Sequence, residues 1–166
     1  MKKKFAALLA AAAIMSVGTV YAATQSNNMY VYMDVYTPTS CTISAGGTMD
    51  FGTYITNYSN SYGATTNVNV ACTSNRSYNL YPDSGLNFQS DRRMTRGGVD
   101  YLNYALFQDN GYYTQWNSSN RVYSTGIGST QTYTVYGYLW GNQLATSGAS
   151  DGVYQDTVTM TVEYTP

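Results

Sequence analysis

The side chains best suited to chemistry are sparse in this 166-residue chain, and the commonest catalytic type is missing. There is no histidine, which rules out a Ser-His-Asp or Cys-His arrangement. The carboxylates are Asp34, Asp50, Asp83, Asp91, Asp100, Asp109, Asp151, Asp156 and Glu163. A pair of them is the machinery of glycoside hydrolysis, and Asp100, Asp109 and Asp151 sit in or near loops. Acids in Asn- and Gly-rich stretches are ordinarily turn formers, so no catalytic residue and no enzyme activity is expected. Cys41 and Cys72 are the only thiols. They supply half a tetrahedral zinc site at best, and no metal or other cofactor is expected. The single cationic cluster is Arg92-Arg93-Met94-Thr95-Arg96. It either meets acids of a neighbouring molecule or pairs locally with acids such as Asp91 and Asp100, and local pairing is the ordinary outcome.

The compartment decides what the two cysteines do. Lys2, Lys3 and Lys4 precede an apolar stretch over residues 5–15, and Val20-Tyr21-Ala22 follows. That is the pattern of a secretory signal peptide, residues 1–22, cleaved after Ala22 or Ala23. The apolar stretch is shorter than the roughly 20 residues a bilayer-spanning helix needs. An exported chain meets an oxidising environment, where two cysteines pair, so a Cys41–Cys72 disulfide is expected. Without residues 1–22 the chain keeps five arginines, no lysine and nine carboxylates, a net charge of −4. Clustered cations are what a polyanion requires, so no nucleic-acid partner is expected.

The elements that position these residues are strands. Tyr (19 copies), Thr, Ser, Asn and Gly dominate; Tyr and Thr favour strands, and Asn and Gly favour turns. The class is all-β, a single sandwich. Residues 29–36 alternate, with Met29, Val31, Met33 and Val35 on one face and Tyr30, Tyr32, Asp34 and Tyr36 on the other. Further short strands are expected over residues 41–44, 49–54, 66–73, 77–81, 101–107 and 130–140, and residues 86–100 read as irregular. Residues 154–164 form the last strand, with Val158, Met160, Val162 and Tyr164 inward and Thr157, Thr159, Thr161 and Glu163 outward. That strand runs to within two residues of the chain's end, leaving its edge uncovered. An uncovered edge beside a core invites pairing with another chain. The N-terminal strand, set off by Pro38, either folds back onto its own domain or completes the sheet of the next copy by strand addition.

Seven pieces in order carry a resemblance to a known family. They are Cys41-Thr42-Ile43-Ser44, Met49-Asp50-Phe51-Gly52-Thr53-Tyr54, Val68-Asn69-Val70-Ala71-Cys72 and Arg92-Arg93-Met94. Tyr101-Leu102-Asn103-Tyr104-Ala105-Leu106-Phe107, Thr134-Val135-Tyr136-Gly137 and Gly152-Val153-Tyr154-Gln155-Asp156-Thr157-Val158 follow. The chain resembles the spore coat U domain family, which includes subunits of archaic chaperone–usher pili. That resemblance implies an incomplete immunoglobulin-like β-sandwich lacking its last strand, completed by a donor strand. A periplasmic chaperone lends the strand first, and an outer-membrane usher exchanges it for the N-terminal extension of the next subunit. Mapped here, residues 1–22 are the signal peptide, residues 23–38 the donor-strand extension and residues 39–166 the pilin domain. Met29, Val31, Met33 and Val35 are the groove-filling residues, and Val158, Met160, Val162 and Tyr164 the edge of the acceptor groove. The expected product is a surface pilus supporting adhesion or biofilm formation. A monomeric or small-oligomeric secreted coat protein, and a sugar-binding module exploiting exposed tyrosines, are the other readings.

Overall fold

A computed structural model describes residues 25–35, 38–53, 60–146 and 149–165. The expected signal peptide, and Tyr36 and Tyr54 of two expected strands, lie outside the described residues. The chain divides into two units, residues 1–35 and residues 36–166.

In the first unit, residues 25–35 form neither strand nor helix. Met29, Val31, Met33 and Val35 are 81–85 % exposed, and Tyr30 and Tyr32 are exposed as well. An alternating segment without a partner has nowhere to send its backbone hydrogen bonds, so the pattern alone does not make a strand.

The second unit is a two-layer antiparallel sandwich. Its strands are β1 (Cys41–Ala45), β2 (Tyr62–Cys72), β3 (Ser77–Pro82), β4 (Arg92–Arg96), β5 (Asp100–Phe107), β6 (Val122–Thr125), β7 (Thr130–Leu139) and β8 (Met160–Tyr164). A six-residue helix, α1 (Gly141–Thr146), follows β7. One sheet has the order β1-β2-β7-β5-β4 and the other β6-β3-β8. The run β1-β2-β7-β5 reproduces the A-B-E-D sheet of an immunoglobulin-like sandwich, and β3-β8 its C-F pair. Among the described residues no strand pairs with the outer edge of β8, where the last strand of a complete sandwich belongs. The fold is an incomplete immunoglobulin-like sandwich.

Period-2 alternation puts the core together. Val68, Val70 and Cys72 of β2, Leu102, Tyr104 and Leu106 of β5, and Val135 and Leu139 of β7 point inward and are buried, meeting Tyr78 and Leu80 of β3. Trp116, in the loop after β5, fills the space between the sheets. Its indole N–H donates to the Leu80 carbonyl at 3.0 Å, and its own backbone N–H to Leu106 at 2.7 Å. Fully burying a ring of that size without a partner for its N–H would be costly.

Several expected elements differ. Residues 49–53 form no ladder; Met49 and Phe51 instead pack on the core beside Gly137, where an added Cβ would lie 2.8 Å from Phe51 Cζ. β4 falls inside the stretch read as irregular. Its arginines obscure a strand because each guanidinium is held by a neighbour: Arg92 Nε donates to the Asp83 carbonyl at 3.0 Å, and Arg93 stacks on Tyr101 at 4.2 Å. The short edge strand β6 and helix α1 were not expected. The last strand is shorter than its alternation suggests, since residues 154–159 join no named strand and Gln155 only bridges Thr95.

Candidate functional site

Sheet β6-β3-β8 is too small to cover the inner face of the five-stranded sheet. It leaves a cleft of about 1020 Å³. The floor is the apolar inner face: Val68 of β2, Leu102, Tyr104 and Leu106 of β5, Val135 and Leu139 of β7, and Met94 of β4. One wall is segment 45–53 and includes Met49 and Phe51; the other is segment 149–160, leading into β8. The cleft therefore lies beside the unpaired edge of β8.

The expected edge residues are placed unequally. Val158, Met160 and Val162 are half-buried and pack on the core, while Tyr164 is exposed at the end of β8, opposite Tyr78 in register. Val158 and Met160 line the cleft itself. The wall that carries them is pinned by backbone bonds. Asp83 N–H donates to Thr159 O at 2.9 Å, and Leu86 N–H to Thr157 O at 3.1 Å. Further back, Thr95 and Gln155 exchange bonds of 2.9 and 3.0 Å, which also closes the outer edge of β4.

A polar cluster adjoins the apolar floor, and sequence reasoning did not single it out. The Tyr104 hydroxyl donates to Asp156 Oδ2 at 2.7 Å; Asn87 donates its side-chain N–H (2.9 Å) and backbone N–H (3.2 Å) to Asp156 Oδ1. Asp83 Oδ1 accepts the Gly85 and Thr159 N–H groups at 2.9 and 3.0 Å. Gly85 has φ +82°, and a Cβ there would sit 3.1 Å from Asp156 Cγ, so glycine is what lets the turn approach the carboxylate. Burial, then the Asp156 hydrogen bond, push the Tyr104 phenol well above its usual range. Burial draws the Arg92 guanidinium down, opposed by Tyr104, Asp83 and Asp156. The cluster ties the wall before β8 to the floor and to the β3–β4 loop.

Cys41 and Cys72 form a disulfide joining β1 to β2, where they are also register partners. The other sequence candidates have structural duties. Arg96 pairs with Asp100 (2.6 Å), as local pairing predicts, and holds that carboxyl below its usual range. Asp109 accepts the backbone N–H groups of Gly111, Tyr113 and Thr114, a turn-forming arrangement that lowers its pKa. Asp151 is exposed. Among the described residues there is no group of three or more potential metal-binding side chains and no helix long and apolar enough to cross a membrane.

The Spore Coat Protein U domain model matches residues 25–161. No curated protein matches the chain. Among solved structures, a chain of the CsuC-CsuE chaperone–tip adhesion subunit pre-assembly complex, from archaic chaperone–usher Csu pili of Acinetobacter baumannii, shares the fold. Its TM-score is 0.57 at 23% identity over 76% of this chain, which spans 40% of the length of that one.

Proposed function

The chain belongs to the Spore Coat Protein U domain family, and on that premise we propose that it is an exported structural subunit of a chaperone–usher surface pilus. Its activity is assembly. The N-terminal segment of one copy enters the cleft of the next, fills it with Met29, Val31, Met33 and Val35, and pairs along the β8 edge formed by Val158, Met160, Val162 and Tyr164. A periplasmic chaperone occupies the cleft first and an outer-membrane usher oversees the exchange. The product is a cell-surface fibre that attaches cells to surfaces or to one another.

The observation that carries this reading is the juxtaposition of an apolar-floored cleft of about 1020 Å³ with an edge strand that has no second partner among the described residues. An exposed, alternating apolar segment in the same chain offers the matching occupant. Burying its four Met and Val side chains stabilises a contact by roughly 6–10 kcal/mol gross. The complex in which the structural neighbour was solved pairs a chaperone with a subunit before assembly, which suits a cleft needing protection until the next subunit arrives.

Deleting residues 23–36 separates assembly from self-completion. The expected result is a folded, chaperone-bound subunit that no longer polymerises. A variant that unfolds or precipitates even with the chaperone present would mean that the segment completes its own domain, as in a monomeric coat protein.

A further inference from the structure

The cleft lies on one face of the five-stranded sheet, and the opposite face has no role in strand donation. Val68 and Val70 of β2 and Val135 and Leu139 of β7 point into the core. Alternation therefore turns Thr65, Asn67 and Asn69, with Tyr136 and Tyr138, to the outside. Strands β1, β2 and β7 contain no charged residue; the five arginines and nine carboxylates outside residues 1–22 all lie elsewhere. Soluble surfaces ordinarily mix charges of both signs. One half of this face is a polar array. Thr132 Oγ1 donates to Asn69 Oδ1 at 2.8 Å and Thr134 Oγ1 to Asn67 Oδ1 at 3.1 Å, which leaves the amide N–H groups of both asparagines as donors. A hollow of about 150 Å³ beside Thr42, Ser44 and Thr130 lies at that end.

The other half is aromatic, and a strained backbone builds it. Tyr112 has φ +57°, a left-handed conformation that is unfavourable for a bulky residue. Asp109 holds the loop there: its carbonyl accepts the Tyr112 N–H at 3.2 Å, and its carboxylate accepts those of Gly111, Tyr113 and Thr114. The Tyr112 ring reaches over Gly63, where a Cβ would run into its hydroxyl. It packs 4.6 Å from Tyr138 between centroids, and Tyr138 lies 5.5 Å from Trp140, which is exposed. Backbone strain of this kind collects at binding sites. Aromatic rings receive C–H groups on their electron-rich faces, while amides and hydroxyls bond to hydroxyls. Both on one uncharged surface match the two sides of a sugar. From Thr132 to Tyr138 the face runs roughly 20 Å, which suits a chain of sugar rings rather than a single one. We infer that this outer face binds a neutral, extended polysaccharide, stacking its rings on Trp140 and Tyr138 and bonding its hydroxyls to Asn67, Asn69 and Thr134.

Sedimentation of the full-length exported chain with particles of cellulose, chitin and starch tests this, with carboxymethyl cellulose as the charged counterpart. Purified fibres are the form used, or the exported monomer if no fibres form, so failure of strand donation is read separately on unboiled gels. The expected result is retention on at least one neutral matrix and weaker retention on the carboxylated one. Trp140→Ala should weaken the retention by at least about five-fold, and Trp140→Phe should recover most of it. Asn67→Asp keeps the acceptor for Thr134 but replaces an amide donor with a carboxylate, and it should weaken retention without touching the core. Ladders and the disulfide should be unchanged in all three variants, because these side chains lie away from the cleft. No retention of the unmodified chain on any neutral matrix, or retention that Trp140→Ala and Asn67→Asp both leave unchanged, overturns the inference. Equal retention on the carboxylated matrix overturns the neutral class of ligand. Side-by-side bundling of fibres that Trp140→Ala abolishes, with no retention on sugar, overturns it in favour of a contact between copies.

Discussion

At the scale of single residues, the cleft depends on the hydroxyl of Tyr104. It is buried and donates to Asp156, the carboxylate that anchors the wall before β8. Tyr104→Phe leaves that carboxylate short of a donor and should destabilise the subunit by about 1–3 kcal/mol in urea unfolding. A second phenol gives the protein a pH limit. Burial, with Tyr133 beside it at 2.5 Å, raises Tyr78 from 10.0 to about 12. The folded state therefore holds this proton more tightly than the unfolded chain does. The stability it contributes is intact below pH 10 and is lost as pH rises through about 12. Urea midpoints should fall between pH 9 and pH 11.5, and Tyr78→Phe should flatten that fall. Neither tyrosine stood out in the sequence, because 19 tyrosines look alike until burial separates them. Arg92 was equally hidden: a cation in a basic run reads as solvated, yet it is 5 % exposed because the Asp83 carbonyl accepts its N–H groups.

Elements were legible where alternation is long and apolar. β2, β5 and β7 lie within a few residues of the expected strands, since Val68, Val70, Leu102, Leu106, Val135 and Leu139 repeat at period 2. β4 was not legible, because its stabilisation comes from guanidinium contacts made by the fold rather than from apolar periodicity. β6 and α1 are four and six residues long, too short for a periodic signal. The disulfide followed from compartment and cysteine count, and it secures β1, an edge strand, to β2. The bridged residues are 31 apart, so Cys41→Ala with Cys72→Ala should cost roughly 3–4 kcal/mol in the chain-entropy model. Unfolding curves of the oxidised chain and the double variant check this. Gly137 governs the opposite wall. Gly137→Ala drives a methyl into Met49 and Phe51 and should weaken assembly while leaving the disulfide intact, as read by unboiled gels beside a thiol assay.

For the whole molecule, the cleft and the N-terminal segment are each energetically unfinished. One is an apolar surface beside an unpaired edge, the other an exposed apolar face with no sheet. Both patterns were visible in the sequence as alternating strands near its two ends, but the cleft was not. Its floor is assembled from β2, β4, β5 and β7, which no local pattern brings together. The most direct test is to replace Met33 with Asp, export the chain with its chaperone, and compare it with the unmodified chain by electron microscopy and unboiled gels. A carboxylate at that position has no partner in an apolar cleft and should abolish fibres and heat-sensitive, SDS-resistant ladders while chaperone binding persists. Fibres and ladders unchanged by Met33→Asp would contradict assembly through this face.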